Sequence, residues 1–515
     1  MLLWGVRRRP RGSGGWRPAL RAAGYCLYTD RDCLFHMKFV DTWAQEHQTE
    51  RLRHWDGLAD NFDAWRRKRA NYQDRLSEYY RFLIPPNMKV LEIGSAGGDL
   101  LAAVQPARGV GVDWSEKMAG VARGRHPKLE FVVADAHELD LGETFDYIIC
   151  SDLLNDVWDA QKILTAIARH CGPTTRVIIN IFSHLWSTPR KVAGAIGYAP
   201  PHQTQNWLTP EDLVNLLALS GLELIRQSGE VLCPFPIPLL RGFADRYLVK
   251  LSPFRHAAMT NVFIARLQPV ALEERKKAKV SVIVAARNEE GNIAQILERT
   301  PQMGGGTELI FVEGNSTDKT WEAINREIAA HPEIEARAYQ QTGKGKGDAV
   351  RKGYSEATGD LYMILDADLT VPPEDLPRFF EAWASGKGDF INGVRLVYPM
   401  RDQAMKFANH VANKGFSLGF SWLLGQPIKD TLCGTKVLSA KNYALLAANR
   451  AYFGDFDPYG DFDLIFGAAR FNLKILDIPI RYRERTYGTT NISRWSGGVT
   501  LLRMCFFALR RLRFV

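Results

Sequence analysis

DLYMILDADLTVPPEDL, residues 360–376, decides how the second half of this chain is read. Leu361, Tyr362, Met363 and Ile364 form the apolar run of a buried strand, and Pro372 and Pro373 follow in a turn. Asp366 and Asp368 flank a single alanine at the strand end. Alternate strand residues point the same way, so both carboxylates can face one cleft while Ala367 turns to the core. Two like charges held that close cost free energy unless a cation lies with them. Hard oxygen donors in an open arrangement suit Mg²⁺ or Mn²⁺ better than zinc, and a diphosphate can complete the shell. Taken alone, the three letters read equally well as a capping Asp and a solvated Asp before a helix.

The flanking sequence tips that balance. KVSVIVAARNEEGNI (279–293) is a strand over Val280 to Ala285 that ends in Arg287, Asn288 and Glu289, with a helix from about Gly291. ELIFVEGNSTDKTWEAI (308–324) repeats the plan, with Glu313 at the strand end and Asp318 in the turn. TGKGKGDAVRKG (342–353) is a glycine- and lysine-rich turn into a helix. Lys344 and Lys346 read equally as phosphate contacts or as a solvated loop, and for Lys344 the solvated loop is preferred. GDFDPYGDFDL (454–464) supplies four aspartates. Asp455 and Asp457 read as a solvated turn around Pro458.

The first half carries a different set of strand ends. KVLEIGSAGGDLLAAV (89–104) runs strand, tight turn, helix: Val90, Leu91 and Ile93 are the strand, and Gly94, Gly97 and Gly98 let the backbone approach a ligand. GVGVDWSE (109–116) ends a second strand at Asp113, an acid suited to the hydroxyls of a ribose. LEFVVADA (129–136) ends at Asp135, and FDYIICSD (145–152) is a fourth strand. A glycine turn alone says little, but four polar strand ends in order mark the ligand edge of an open α/β sheet.

The chain has 515 residues, enough for two or three domains. The net charge of +9 favours anionic partners, yet the basic residues are scattered without interleaved aromatics, which excludes a nucleic-acid partner from this reading. Seven cysteines form no CxxC, which points to a reducing cytosol and no structural zinc. No run of eighteen apolar residues lacks charges, so no spanning helix is expected. The first 29 residues hold six arginines and no acid. They read as a disordered extension or as sequence ahead of a start at Met37, in preference to a transit peptide.

The first-half motifs resemble those of class I S-adenosylmethionine-dependent methyltransferases. The resemblance implies that Glu92, Gly94, Ala96 and Gly98 form the turn that holds the methionine part of the cofactor. It implies that Asp113 holds the ribose and that Asp135 with Ala136 lies at the adenine. CSDLLNDVWDAQKIL (150–164) and NWLTPEDLVNLLALSGLELI (206–225) match later elements of that family. The departures are Ala96 for the middle glycine and Asn155-Asp156 for a Glu-His pair. The family has no fixed catalytic residue, because the leaving group is already activated and alignment does much of the work. His184, His202 and Asp156 are within reach of the deprotonating role, though each reads more simply as an ordinary surface or cleft residue.

The second-half motifs resemble family 2 glycosyltransferases of the GT-A fold, especially polyprenyl- and dolichyl-phosphate mannose or glucose synthases. VAARNEEGNI, VEGNSTDKT, GKGDAVRKG, LDADLTVPPEDL, NGVRLVYPM, LCGTKVLSA and YGTTNISRW carry that likeness as a set. It implies that Ala285, Arg287 and Glu289 line the nucleotide pocket with Glu313 near the base. It implies that Asp366 and Asp368 hold Mg²⁺ or Mn²⁺ on the diphosphate of a UDP- or GDP-sugar, with Lys346, Arg395 and Lys436 as the cations. Asp461, in an acid-x-Asp-Leu pattern with Asp463, falls at the base position. Glu313-Gly314 replaces a usual pair of acids, and Thr370 replaces a common glutamine.

The expected fold class is therefore α/β in two domains, a Rossmann-like methyltransferase sheet and a GT-A nucleotide-sugar-binding domain. The expected boundaries are a basic extension at 1–37, the first domain at 38–268, a charged linker at 269–279, the second domain at 280–495 and an amphipathic tail at 496–515. The tail stripe Leu501, Leu502, Phe506, Leu509 and Leu512 beside arginines reads either as a packed helix or as one lying in a membrane interface. A lipid-linked acceptor favours the interface. The expected function is bifunctional: inverting, metal-dependent transfer of a sugar to a polyprenyl-phosphate or glycan acceptor, plus methyl transfer, in cell-surface or lipid-linked glycan assembly. The expected location is cytoplasmic, peripheral on the cytoplasmic face of a membrane. The alternatives are a glycosyltransferase with a degenerate first half and a non-catalytic carbohydrate- or lipid-binding scaffold.

Overall fold

The computed structural model describes residues 30–197, 203–235, 237, 239–395, 397, 407–452, 460–483, 485, 487 and 502–515, with the backbone alone for 30–42 and 407–413. His202, Asp455, Asp457 and most of YGTTNISRW lie outside the described residues, as do most of the basic extension and the start of the tail. Two compact units are Met1–Glu50 and Arg51–Val515. In the first, residues 30–50 are helical. The second holds two seven-stranded sheets.

The first sheet contains β1 (Lys89–Ile93), β2 (Arg108–Asp113), β3 (Glu130–Val133), β4 (Phe145–Ser151), β5 (Cys171–Phe182), β6 (Leu222–Glu230) and β7 (Thr260–Leu267). Its order is β3-β2-β1-β4-β5-β7-β6. β7 runs antiparallel to both β5 and β6, and the other pairs are parallel. Val90, Leu91, Ile148, Ile149 and Cys150 are fully buried, as central strands covered on both faces must be. The order reverses between β1 and β4, which opens a crevice at their carboxyl ends.

The second sheet contains β8 (Val280–Ala286), β9 (Thr307–Glu313), β10 (Ala336–Gln340), β11 (Leu361–Asp366), β12 (Phe390–Val394), β13 (Lys436–Ser439) and β14 (Ile475–Pro479). Its order is β10-β9-β8-β11-β13-β12-β14. β13 runs antiparallel to β11 and β12, and the remaining pairs are parallel. Register sets Asp366 beside Ala285 and Ala286 beside Glu313, so these strand ends share one edge. β11 ends at Asp366, so Ala367, which is buried, and Asp368 lie in the turn just past it and not on the alternating strand that the sequence suggested.

The charged stretch holds the short exposed helix Glu273–Lys276, but it is only one of several joins between the sheets. Arg176 of β5 meets Asp389 at 2.6 Å and Arg266 of β7 meets it at 3.1 Å, with all three side chains buried. Arg226 of β6 donates to Asn472 Oδ1 at 2.6 Å, and Asn472 Nδ2 donates to the Leu83 carbonyl at 3.1 Å.

Residues 502–513 are helical. Met504, Ala508 and Leu512 are buried in the core, while Leu502 and Phe506 face outward. The expected single stripe is thus split: spacing by four residues buries the row through Leu512 and exposes the row through Phe506.

Candidate active sites

At the carboxyl edge of the second sheet, Lys346 opens the helix Lys346–Glu356 after Gly345, whose φ of 87° makes the turn. Its Nζ lies 2.6 Å from Asp366 Oδ1. Burial works against the Asp366 charge, but the Lys346 ammonium holds that carboxyl below the usual carboxylate range. Asp368 accepts from the Thr370 amide at 3.1 Å and hydroxyl at 2.7 Å, and its other oxygen meets Arg485 at 2.7 Å. Arg485 also approaches Glu289 at 3.4 Å. Burial pushes the Glu289 carboxyl up to about 7, with Arg485 opposing.

Lys436 is fully buried and donates to the Cys433 carbonyl. Its Nζ is 4.0 Å from Asp461 Oδ1, a buried oxygen with no hydrogen-bond partner among the described residues. Burial raises the Asp461 carboxyl, with Lys346 and Lys436 opposing. Arg395 is held by Asp430 through bonds of 2.7 and 2.9 Å and lies over the Tyr482 ring. Glu313 accepts from the Ser316 amide at 2.5 Å and so shapes its own turn. Arg287 sits beside Gly314, next to that turn. Asp463 is drawn elsewhere, to Arg450 at 2.8 Å.

At the edge of the first sheet, Gly94, Ala96 and Gly98 all have left-handed φ values, of 77°, 43° and 73°. Asp113 closes over the turn, accepting from the Ala96 amide at 2.8 Å and the Ser115 amide at 2.9 Å. Glu92 points inward and accepts from the Leu101 amide at 3.0 Å, and burial pushes it up to about 8. It therefore fixes the helix behind the turn. Asp135 caps the 3-10 turn Ala136–Glu138 and binds His137 Nδ1 at 2.6 Å, which lowers its carboxyl. Asp156 is held by Arg51 at 2.9 Å and Trp55 at 3.0 Å, and His184 stacks on Trp207.

Residues 281–439 match the family model for glycosyl transferase family 2, and residues 62–227 match that for a methyltransferase domain. The chain carries a family 2 glycosyltransferase domain and a methyltransferase domain. The glycosyltransferase part is similar to a dolichol-phosphate mannosyltransferase of Pyrococcus furiosus, 33% identical over 139 residues, 27% of this chain and 39% of that one. It is also similar to an undecaprenyl-phosphate 4-deoxy-4-formamido-L-arabinose transferase of Pectobacterium carotovorum, 28% identical over 224 residues, 42% of this chain and 62% of that one. The chain thus spans less than two thirds of the length of these curated relatives. Among solved structures it resembles a glucosyl-3-phosphoglycerate synthase from Mycobacterium tuberculosis, with 19% identity, a TM-score of 0.35 and coverage of 47% of this chain and 82% of that one.

The glycosyltransferase domain holds three residues that sequence reasoning left unassigned. Arg485 bridges Asp368 and Glu289 from after β14; nothing local marks it, because the bridge is made by folding. Asp430 clamps Arg395. Gly434 lies against the Lys346–Asp366 pair so closely that a Cβ there would overlap both groups. In the methyltransferase domain the unassigned residue is Asp152, just past β4. It accepts from Tyr72 at 3.0 Å and Asn180 at 2.5 Å, and burial pushes its carboxyl up to about 6.

The donor chemistry fits the groups both domains imply. Two carboxylates at and just past one strand end, each already drawing a cation, are hard oxygen donors that would suit a divalent ion. Among the described residues no cluster of three or more His, Cys, Asp or Glu could bind a metal unaided. The left-handed turn, with Asp113 and Asp135 at the neighbouring strand ends, suits a nucleoside with a small charged tail.

Proposed function

We propose that the second domain, residues 280–495, transfers a sugar from a UDP- or GDP-sugar to a polyprenyl-phosphate or glycan acceptor with inversion, and that the first, residues 38–268, transfers a methyl group from S-adenosylmethionine. The observation that carries the first reading is the gathering of Lys346, Asp366, Lys436 and Asp461 at the same sheet edge as Asp368, Arg485 and Glu289. Asp366 and Asp368 would hold a Mg²⁺ or Mn²⁺ ion, which when bound stabilises the negative charge growing on the leaving diphosphate. Lys346 and Arg485, cations already on those carboxylates, turn to the phosphate oxygens. Ala285, Arg287, Glu289 and Glu313 line the nucleoside end.

Asp461 takes the proton of a hydroxyl acceptor; burial raises its proton affinity, and among the described residues its Oδ1 has no hydrogen-bond donor. A phosphate acceptor arrives ionised and needs Lys436 and Arg395 more than a base. Asp463, held by Arg450, supports the helix behind Asp461. The curated relatives named above act on lipid-linked phosphates, which supports a lipid-phosphate acceptor. The outward row of the tail helix is read as lying against that lipid. Among the described residues no helix is long and apolar enough to cross a membrane.

In the methyltransferase domain the turn Gly94–Gly98 with Asp113, Asp135 and Ala136 binds the cofactor, Glu92 holds the turn from behind, and bound S-adenosylmethionine supplies the activated methyl group. The test is nucleotide release from UDP-glucose and GDP-mannose with polyprenyl phosphate, with Mn²⁺ and with chelator. Metal-dependent release that Asp368→Ala abolishes is the expected result. Release that is indifferent to both removes the reading. Titration calorimetry with S-adenosylmethionine tests the other half, and no heat of binding leaves a single-activity enzyme.

A further inference from the structure

The helix Leu240–Arg246 in the first domain is inside out. Ala244 and Asp245 are buried, with Asp245 accepting the Leu232 and Cys233 amides at 2.6 and 2.7 Å. The outward face carries Leu240, Phe243 at 54% exposure and, one step on, Tyr247; Leu239 just ahead is 92% exposed. A surface helix of a water-facing protein shows the opposite pattern. An apolar cluster of this kind marks an interaction surface.

This face continues into the chain's last helix. The Phe243 and Tyr247 rings are 5.7 Å apart, Tyr247 and Phe514 are 5.0 Å apart, and Arg246 Nε donates to the Phe514 carbonyl at 2.8 Å. Along that helix the exposed row is Leu502, Arg503, Phe506 and Arg510, with Leu502 at 61% and Phe506 at 71% exposure. Asp245, the one acid between Leu239 and Ala257, is turned inward; Arg241, Arg246 and Arg255 surround it in sequence. No acid occurs from 496 to 515.

We propose that these two elements, one from the first domain and one from the tail, form a single face that docks on an anionic bilayer surface. Large apolar side chains enter the interface while the arginines flanking them pair with lipid phosphates. The inference extends the reading of the tail to the methyltransferase domain, and it stands independently of either transfer reaction. An acceptor embedded in a bilayer would then be met by a protein oriented through its first domain and its tail.

The experiment is co-sedimentation of the full chain with phosphatidylcholine vesicles, with and without phosphatidylglycerol. The expected result is binding to the anionic vesicles that salt weakens, with Leu239→Asn/Phe243→Ser and Phe506→Ser each lowering it about tenfold. All three side chains are exposed, so folding is retained. Binding that Phe506→Ser abolishes and Leu239→Asn/Phe243→Ser leaves intact overturns the joint face, as does equal binding to neutral vesicles or none to either. Nucleotide release by Leu239→Asn/Phe243→Ser without vesicles, expected unchanged, separates this inference from the proposed chemistry.

Discussion

The Lys346 ammonium and the Asp366 carboxylate meet at 2.6 Å with the Cα of Gly434 directly behind them. That backing has a consequence for turnover. Gly434→Ala would drive a Cβ into both groups and push Asp366 off its position at the strand end. A displacement of about 1 Å at a reacting centre costs about 10²-fold in rate. The expected outcome is a loss of that size in nucleotide release. Unchanged turnover would mean that the pair has room to swing aside.

The same pair contributes to stability in a pH-dependent way. Asp366 has a depressed carboxyl, so its contribution is present above the ordinary carboxylate range and is lost as pH falls through the lowered value. Lys346→Met leaves a half-buried carboxylate without its cation and should cost about 2 kcal/mol at neutral pH. The cost should shrink in acid, where Asp366 is protonated in either protein. Denaturant titrations at neutral and acid pH measure it, and a cost independent of pH would assign it to packing.

Much of this was legible in the sequence because it is local. Strand ends, turns and caps are set within a few residues, so Asp113, Glu313 and Asp366 fall at the ends of their strands as expected, with Asp368 two residues further on in the turn. What the sequence withheld is long-range. Arg485 on Asp368 and Arg395 on Asp430 join residues far apart in the chain, and no spacing rule encodes them. Glu92 and Asp463 show the converse: the acids stand in the right motifs, yet one caps the Leu101 amide and the other binds Arg450. The inward turn of Met504, Ala508 and Leu512 was decided by the core they meet.

Ala96 is the residue at which the cofactor turn departs from glycine, and its φ of 43° lies in the left-handed region. A Cβ there costs about 1 kcal/mol relative to glycine. Glycine loses part of that advantage through greater freedom in the unfolded chain. Ala96→Gly should therefore stabilise the protein by a net amount of about 0.5 kcal/mol, read as a raised denaturation midpoint. Binding of S-adenosylmethionine should be kept, because Asp113 accepts from the amide of residue 96 whichever side chain is present. A lowered midpoint would show that the methyl group packs usefully.

Glu92 is raised to about 8 by burial, against an ordinary value of 4.5. Between those values the unfolded chain has released its proton and the folded chain has not. Stability from this group is thus full below 4.5 and declines as pH rises towards 8. Glu92→Gln keeps an acceptor for the Leu101 amide and has no proton to lose. The variant should show a flatter stability profile across that window and equal or exceed the parent at its upper end. Parallel profiles would mean that Glu92 is ionised in the folded protein.

Asp389 joins the two sheets through Arg176 and Arg266, and all three are buried. Burial opposes its charge, yet the arginines keep the carboxyl below its usual value. Asp389→Asn takes from Arg176 its carboxylate and leaves Arg266 with Glu223 alone, and breaking a buried ion pair from one side costs about 3–5 kcal/mol. Because the seam ties β5 and β7 to the second sheet, the loss should be felt by both domains at once. Calorimetry should show one unfolding transition in the parent and one, at lower temperature, in the variant. S-adenosylmethionine added to the parent should raise that whole transition by linkage. Two separate transitions in the parent, with only one of them moved by Asp389→Asn, would show instead that the domains fold independently and that the seam merely touches.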